Sequence, residues 1–349
     1  NANNFGSVAD NPQRININYD EHDGHPDWLH INSIAYNPVL DQFVLSVPYF
    51  NELWVVDHSI SREEAKGPAG DLLYRWGNPA AYDQGTLEDK KQFFQHDVHW
   101  VKPEAQPGEA DFGKIALFNN RVSPELSTAN LLNTPIDEET KTYALDGGVF
   151  LPEDFEQTFA HPTNPTKAFS SGLSSVQLLP NGNALLCAGR WGYAYELTPT
   201  GELAWEYIVP IKAGSPVEQG TELDINNNLT FRMDRYSLDY PAFAERDLEP
   251  KAYIELNPNE RFCETATSTT NIAPDLALKL YPNPASDWLQ IEREEESLEQ
   301  LRLYDAYGRF LQNVQLTNKR TNLWLGHLPK GIYFLQSEQG HAKRLLIQR

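Results

Sequence analysis

The stretch from Ser174 to Tyr207 constrains the fold more than any other. Val176-Gln177-Leu178-Leu179 leads into a Pro180-Asn181-Gly182-Asn183 turn. Ala184-Leu185-Leu186-Cys187-Ala188 and Tyr193-Ala194-Tyr195-Glu196-Leu197 follow. A Thr198-Pro199-Thr200-Gly201 turn and Leu203-Ala204-Trp205-Glu206-Tyr207 complete the set. Asn-Gly between apolar runs is a strong short-range hairpin signal, because both residues accept the positive φ that tight hairpin turns need. Four short strands in about 35–45 residues predict one blade of a β-propeller.

Two other stretches repeat the pattern. One begins at Trp28, with strands expected at 31–36, 42–47, 52–57 and 72–76. The other begins near Gln95, with strands at 98–101 and 114–119 and a candidate outer strand at Tyr143 to Leu145. Long insertions at 78–94 and 123–166 are expected on a propeller face, where loops cap sites. Propellers close with about four to eight blades, and 211–264 carries few strand patterns. The expectation is an open arc of about three blades, the C-terminal part of a propeller whose N-terminal blades lie outside this chain.

The chain has 349 residues, room for two domains. Residues 1–262 hold the blade pattern, and 263–274 are polar and Thr-rich, as in a linker. Residues 275–349 carry seven short alternating runs, at 276–281, 288–292, 300–304, 310–315, 321–324, 331–336 and 343–348. That spacing predicts an Ig-like antiparallel β-sandwich. The predicted class is therefore all-β: part of a propeller plus a C-terminal sandwich.

Net charge is −21 with no offsetting basic patch, which argues against nucleic acid as a partner. No window approaches the ~20 apolar residues of a membrane helix, so a chain that does not span the membrane is expected. Residues 1–10 show neither a basic nor an apolar leader segment. Cys187 and Cys263 are the two cysteines, and sequence alone does not decide whether they pair.

There are nine histidines, and His30, His96 and His99 sit at blade starts. The innermost strand of a blade lines the central channel, so His30 and His96 from different blades are expected to converge. Three readings stand for them. They are hydrogen-bonded structural groups, or His96 and His99 share a metal, or an imidazole accepts a transferred group. Strand alternation puts His96 and His99 on opposite faces unless a bulge intervenes, which disfavours the metal. The third reading needs a neighbour that fixes the tautomer and donors that hold an anionic sulfuryl or phosphoryl group. Trp54-x-x-Asp57-His58 and Arg75-Trp76-Gly77-Asn78-Pro79 read as blade-closing structure with a buried Arg–Trp stack. Glu294-Glu295-Glu296 reads as a solvated loop.

Four blocks of the tail occur in one order. They are Tyr281-Pro282-Asn283-Pro284-Ala285, Leu303-Tyr304-Asp305 with Gly308, Leu328-Pro329-Lys330-Gly331-Ile332-Tyr333, and Lys343-Arg344-Leu345-Leu346-Ile347. Together they resemble the C-terminal sorting domain of type IX secretion. The resemblance implies export to the outer-membrane surface or beyond, recognition by an outer-membrane shuttle barrel and cleavage by a sortase-like peptidase. Lys343-Arg344 ahead of a β-rich terminus would leave a strand free to add to a partner's sheet edge.

The blades resemble the arylsulfate sulfotransferase family over about residues 27–207. The segments are Asp27 to Tyr36, Trp54 to His58, Leu73 to Pro79, Gln95 to Trp100, Leu117 to Arg121, and Leu179 to Tyr207. The family implies a six-bladed propeller moving a sulfuryl group from a phenolic sulfate donor to a phenol acceptor through a sulfated histidine, with no cofactor. By that match His96 takes the nucleophile position, and His30 and Asn32 match a sulfate-binding His-x-Asn. Pro48 falls at or near a family Arg, so the missing cation is expected from Arg121, Arg190 or an upstream residue. A catalytically inactive surface-binding or structural propeller is the alternative.

Overall fold

The computed structural model describes residues 6–19, 21, 24, 26–249, 251–258, 278–293, 299–305, 310–316, 318–337 and 342–348. The chain divides into two compact units, 1–258 and 259–349. Both are all-β, and helix among the described residues is confined to short 3₁₀ turns. None is long and apolar enough to cross a membrane.

The first unit is built on three four-stranded antiparallel sheets. The first is β1 (Ser33–Asn37), β2 (Gln42–Val47), β3 (Glu52–Asp57) and β4 (Tyr74–Trp76), paired in chain order. The second is β5 (His96–Trp100), β6 (Lys114–Ser123) and β7 (Leu126–Asn133). A two-stranded hairpin, β8 (Leu145–Asp146) and β9 (Val149–Phe150), then precedes its outer strand β10 (Gln157–Phe159). The third is β11 (Ser175–Leu178), β12 (Ala184–Ala188), β13 (Tyr193–Leu197) and β14 (Leu203–Ile208). Beyond it in this unit, the described residues form the two-residue strands β15 (Ile211–Lys212) and β16 (Ser215–Pro216), a short 3₁₀ turn at Pro241–Phe243, and otherwise turns and irregular chain. No closed propeller ring forms among the described residues.

Turn chemistry sets these meanders. Gly182 adopts φ +84° and donates its N–H to Leu179 O at 2.9 Å, closing the turn signalled by Asn-Gly. Asn37 Oδ1 accepts from the N–H groups of Val39 and Leu40 at 3.0 and 2.9 Å and turns β1 into β2. The middle strands are buried on both faces, so β12 and β13 run apolar without strict alternation. Val44, Trp54, Trp100, Ile115 and Leu132 form a core between the first and second sheets. Phe118, Ala129, Val176, Leu186 and Tyr195 form another between the second and third.

Two expectations are corrected. The outer strand of the second sheet is Gln157–Phe159, not Tyr143 to Leu145. The expected 123–166 insertion in fact holds the sheet strands β7 and β10, and Tyr143, in the segment 134–156 between them, stacks on Tyr74 of the outer strand β4 at 4.5 Å. Tyr74 Oη and Trp76 Nε1 donate to Leu151 O and Pro152 O, both at 2.7 Å. That part of the insertion braces the first sheet and does not cap the histidines. The expected Arg–Trp stack is present and buried. Arg75 lies over Trp54 and Tyr82 and pairs with the buried Glu52 carboxylate, which also accepts from Trp54 Nε1. Burial pushes Glu52 above the usual carboxylate range, while Arg75 and Trp54 oppose that rise.

The second unit is a seven-stranded antiparallel sandwich. β17 (Leu278–Tyr281), β18 (Trp288–Arg293) and β21 (Arg320–Trp324) form one sheet, in the order β17-β18-β21. β20 (Phe310–Leu316), β19 (Glu299–Asp305), β22 (Gly331–Ser337) and β23 (Ala342–Ile347) form the other, in that order. Leu289, Ile291, Leu301, Leu303, Leu335, Leu345 and Ile347 are fully buried between them, as inward-facing residues of alternating strands must be. The expected linker at 263–274, Cys263 and the 294–296 acidic run lie outside the described residues.

Candidate functional site

The inner strands β1, β5 and β11 lie side by side, which brings sequence-distant residues to one groove. His96 opens β5. It stands opposite Phe118 while His99 stands opposite Ala116, so three residues of β5 span two of β6. Asp97 takes φ +55° to absorb the extra residue. This bulge re-aims the side chains, and simple alternation does not hold: His96 and His99 face the same side. They nevertheless have separate partners. His99 Nδ1 donates to Asp97 O at 2.7 Å, and no three metal-ligating side chains gather among the described residues.

His96 Nδ1 lies 2.8 Å from Asn120 Oδ1 and 3.1 Å from Phe94 O. Its Nε2 has no hydrogen bond among the described residues. Burial holds the imidazole below its ordinary pKa, and the charges of His30 and Arg190 push it further down against the pull of its two hydrogen bonds. His96 is therefore a neutral base at neutral pH.

Two arginines flank it. Arg121, near the end of β6, donates Nε–H to Ser171 O at 2.9 Å and lays its guanidinium 4.0 Å over the Phe94 ring. Arg190 sits in the turn between β12 and β13 and donates from Nη1 to Asn226 Oδ1 at 3.1 Å, while its Nε is buried without a partner. Gly189 makes that turn possible, since a Cβ there would meet Thr230 O at 2.5 Å. A Cβ on Gly172 would meet Arg190 Nη2 at 3.4 Å and His96 Cε1 at 3.8 Å, so both groups line one wall. Burial lowers the pKa of Arg121 and the charge of Arg190 lowers it further. Neither arginine forms an ion pair with a carboxylate among the described residues, in a chain of net charge −21.

His30 precedes β1 at φ +50°. Its Nδ1 is hydrogen-bonded to the Asp27 carboxylate, and its exposed ring stacks on Tyr49 at 4.9 Å. Tyr49 makes an edge contact with Phe94 at 6.0 Å. Asn32 donates from Nδ2 to Gln95 O at 2.8 Å, and its buried Oδ1 has no partner. One amide hydrogen is thus committed to the residue ahead of His96, and the amide also offers an acceptor. Pro48 is buried in the β2–β3 turn and offers no donor. His30, Phe94, Asp97, Leu173 and Ser174 all have positive φ near this groove. Each such residue costs on the order of 1–3 kcal/mol, and such strain gathers at functional sites.

The groove thus places His30, Asn32, His96, Arg121 and Arg190 in one neighbourhood. Sequence reasoning missed Asn120, Tyr49 and Phe94 as site residues. Their one signal was position at a strand end or turn next to a candidate. Cavities of about 380 Å³ at Trp76, Gly77 and Phe150 and about 600 Å³ at Gln13, Asp57 and Tyr143 are lined by neither His96 nor the arginines.

In the sandwich, Tyr281, Pro282, Asn283 and Pro284 form an exposed turn over β23. Asn283 Nδ2 donates to Arg344 O at 3.0 Å and Asn283 Oδ1 accepts from Leu346 N at 2.9 Å. Ala285 N–H donates to Leu346 O, and Gln348 N–H to Ala285 O, each at 2.8 Å. Gly331 pairs with Ile347, and the buried Tyr333 donates Oη–H to Pro329 O at 2.7 Å. Lys343 is half-buried and Arg344 exposed. The outer edge of β23 is therefore occupied from 344 to 348, unlike the free edge expected there.

Residues 279–348 match the family described as "Secretion system C-terminal sorting domain". The chain therefore carries a type IX secretion sorting domain, is exported by that route and resides at the cell surface or outside the cell. No curated protein matches the chain. Among solved structures it is similar to Kuenenia stuttgartiensis hydrazine synthase, at 9% identity and TM-score 0.29, covering 91% of this chain and 68% of that one. It is also similar to a protein of unknown function from Bacteroides caccae, at 13% identity and TM-score 0.25, covering 54% and 64%. PorZ, a surface component of the type IX system of Porphyromonas gingivalis, matches at 10% identity and TM-score 0.20, covering 91% and 51%. The chain thus spans about half to two-thirds of the length of these proteins.

Proposed function

We propose that the first unit transfers a sulfuryl group between phenols as part of an arylsulfate sulfotransferase-like propeller, and that the sorting domain delivers it to the surface through an outer-membrane shuttle barrel and sortase-like machinery. One observation carries the reading: a neutral His96 with Nε2 open stands beside two arginines that lack acidic partners among the described residues. An anion with charge spread over several oxygens needs several donors at once. Arg121 and Arg190 supply cations where Pro48 cannot. The aromatic wall of Tyr49 and Phe94 suits a phenyl ring beside the anion.

In the proposed reaction Nε2 of His96 attacks sulfur. The N–S bond forms, the S–O bond to the aryl oxygen breaks, and the phenolate leaves with the electron pair. An acceptor phenol that has lost its proton to solvent then attacks sulfur and the N–S bond breaks. No step calls for a cofactor or metal. The test is the full-length protein with a chromogenic phenyl sulfate and a phenol. Transfer, a sulfuryl adduct on His96 by mass spectrometry, and loss of both in His96→Ala are expected. Full activity in His96→Ala would overturn the mechanism. Pro48 at the family Arg position favours the second reading, a surface-binding propeller without chemistry. In that case phenyl sulfates bind without turnover.

A further inference from the structure

We infer that Asn120 is a positioning residue that sets which nitrogen of His96 faces the groove, an inference that rests on the reading of His96 as the group carrier. Asn120 lies on β6 and is fully buried. Its amide nitrogen points at three acceptors: Ser170 O at 2.8 Å, Leu173 O at 3.1 Å and the Ser174 hydroxyl at 3.3 Å. Flipping the amide would set its oxygen against two carbonyl oxygens that cannot donate, so the orientation is fixed. Asn120 Oδ1 must then face His96 Nδ1.

The second neighbour of Nδ1 is the Phe94 carbonyl, also an acceptor only. An imidazole nitrogen between two acceptors carries the proton. The lone pair is left on Nε2, the nitrogen that must attack sulfur. The support extends outward. Ser170 N–H donates to the Ser127 hydroxyl at 2.9 Å, and Arg190 N–H to the Ser170 hydroxyl at 3.0 Å. The same loop, 170–174, thus holds the group that orients His96 and one of the cations beside it. A tautomer held by a fixed acceptor spares the nucleophile a proton shift before attack.

The test uses the full chain with ¹⁵N-histidine, His96 being assigned by the signal lost in His96→Gln. The wild type is expected to show protonated Nδ1 and pyridine-type Nε2. Asn120→Ala leaves only the longer Phe94 bond, so the second tautomer should appear. The value of kcat should fall about 10–100-fold with KM little changed, as when the partner orienting a functional imidazole is lost. Asn120→Asp puts a carboxylate against Nδ1–H, which favours the imidazolium. The pKa of His96 rises, and the acidic limb of the kcat/KM profile moves to higher pH. A protonated Nε2 in the wild type, which needs no Asn120 variant to observe, would overturn the inference. So would an unchanged tautomer in Asn120→Ala. If the tautomer responds as expected but the wild type transfers no sulfuryl group, Asn120 keeps its role and the enzymatic reading falls.

Discussion

Arg190 combines three features that bear on chemistry: a guanidinium beside His96, a buried Nε without a partner, and no ion pair with a carboxylate among the described residues. A buried donor left without an acceptor is costly, so the Arg190 Nε–H is suited to a position that an anion's oxygen completes. Arg190→Ala is expected to lower kcat by about 10²–10³, the cost of losing one anion-stabilising donor. Steady-state kinetics with a phenyl sulfate measures it, and a loss below threefold would remove Arg190 from the site. Asn32 behaves differently. One amide hydrogen is held by Gln95 O, so it braces the strand start ahead of His96.

At the scale of elements, the sandwich closes its last strand by a side chain. Asn283 reproduces with one amide the donor–acceptor pair that a neighbouring strand would supply to Arg344 and Leu346. Asn283→Ala should lower stability by about 1–2 kcal/mol, since two partly exposed hydrogen bonds are lost. Hydrogen exchange at the Leu346 amide should accelerate while Leu345, which bonds inward, stays protected. Equal acceleration at both would mean that the strand frays as a whole. The strands themselves were legible where turn residues fix both ends, and 42–47, 52–57, 184–188 and 193–197 agree residue for residue. β7 escaped because its residues are buried almost throughout and show no alternation, and β10 because three residues carry no period. The bulge at His96 was also hidden, since it depends on pairing with β6. The histidines could be placed from topology, but Asn120 and the Tyr49–Phe94 wall could not. Their role arises from three segments that meet only after the sheets pack.

At the scale of the molecule, each of the two units has its own core. The residues of the proposed site all lie in the first unit, and the second carries the sorting domain. Deleting residues 279–348 should leave the protein inside the cell envelope, with the fraction on intact cells falling to background in a surface-protease assay. Sulfuryl transfer by the deleted protein in lysate should persist. Surface display without the sandwich would show that another part of the chain carries an export signal.

The clamp over β23 also determines how the sandwich bears tension. Ala285 and Ile347 pair in parallel although they lie near opposite ends of the domain's sequence. A pull on the two chain ends draws these parallel segments past each other lengthwise. The bonds at Asn283 and Ala285 are then loaded together in shear, not opened one after another. Tension applied between the two ends of the sandwich therefore loads the small turn around Asn283 together with β23.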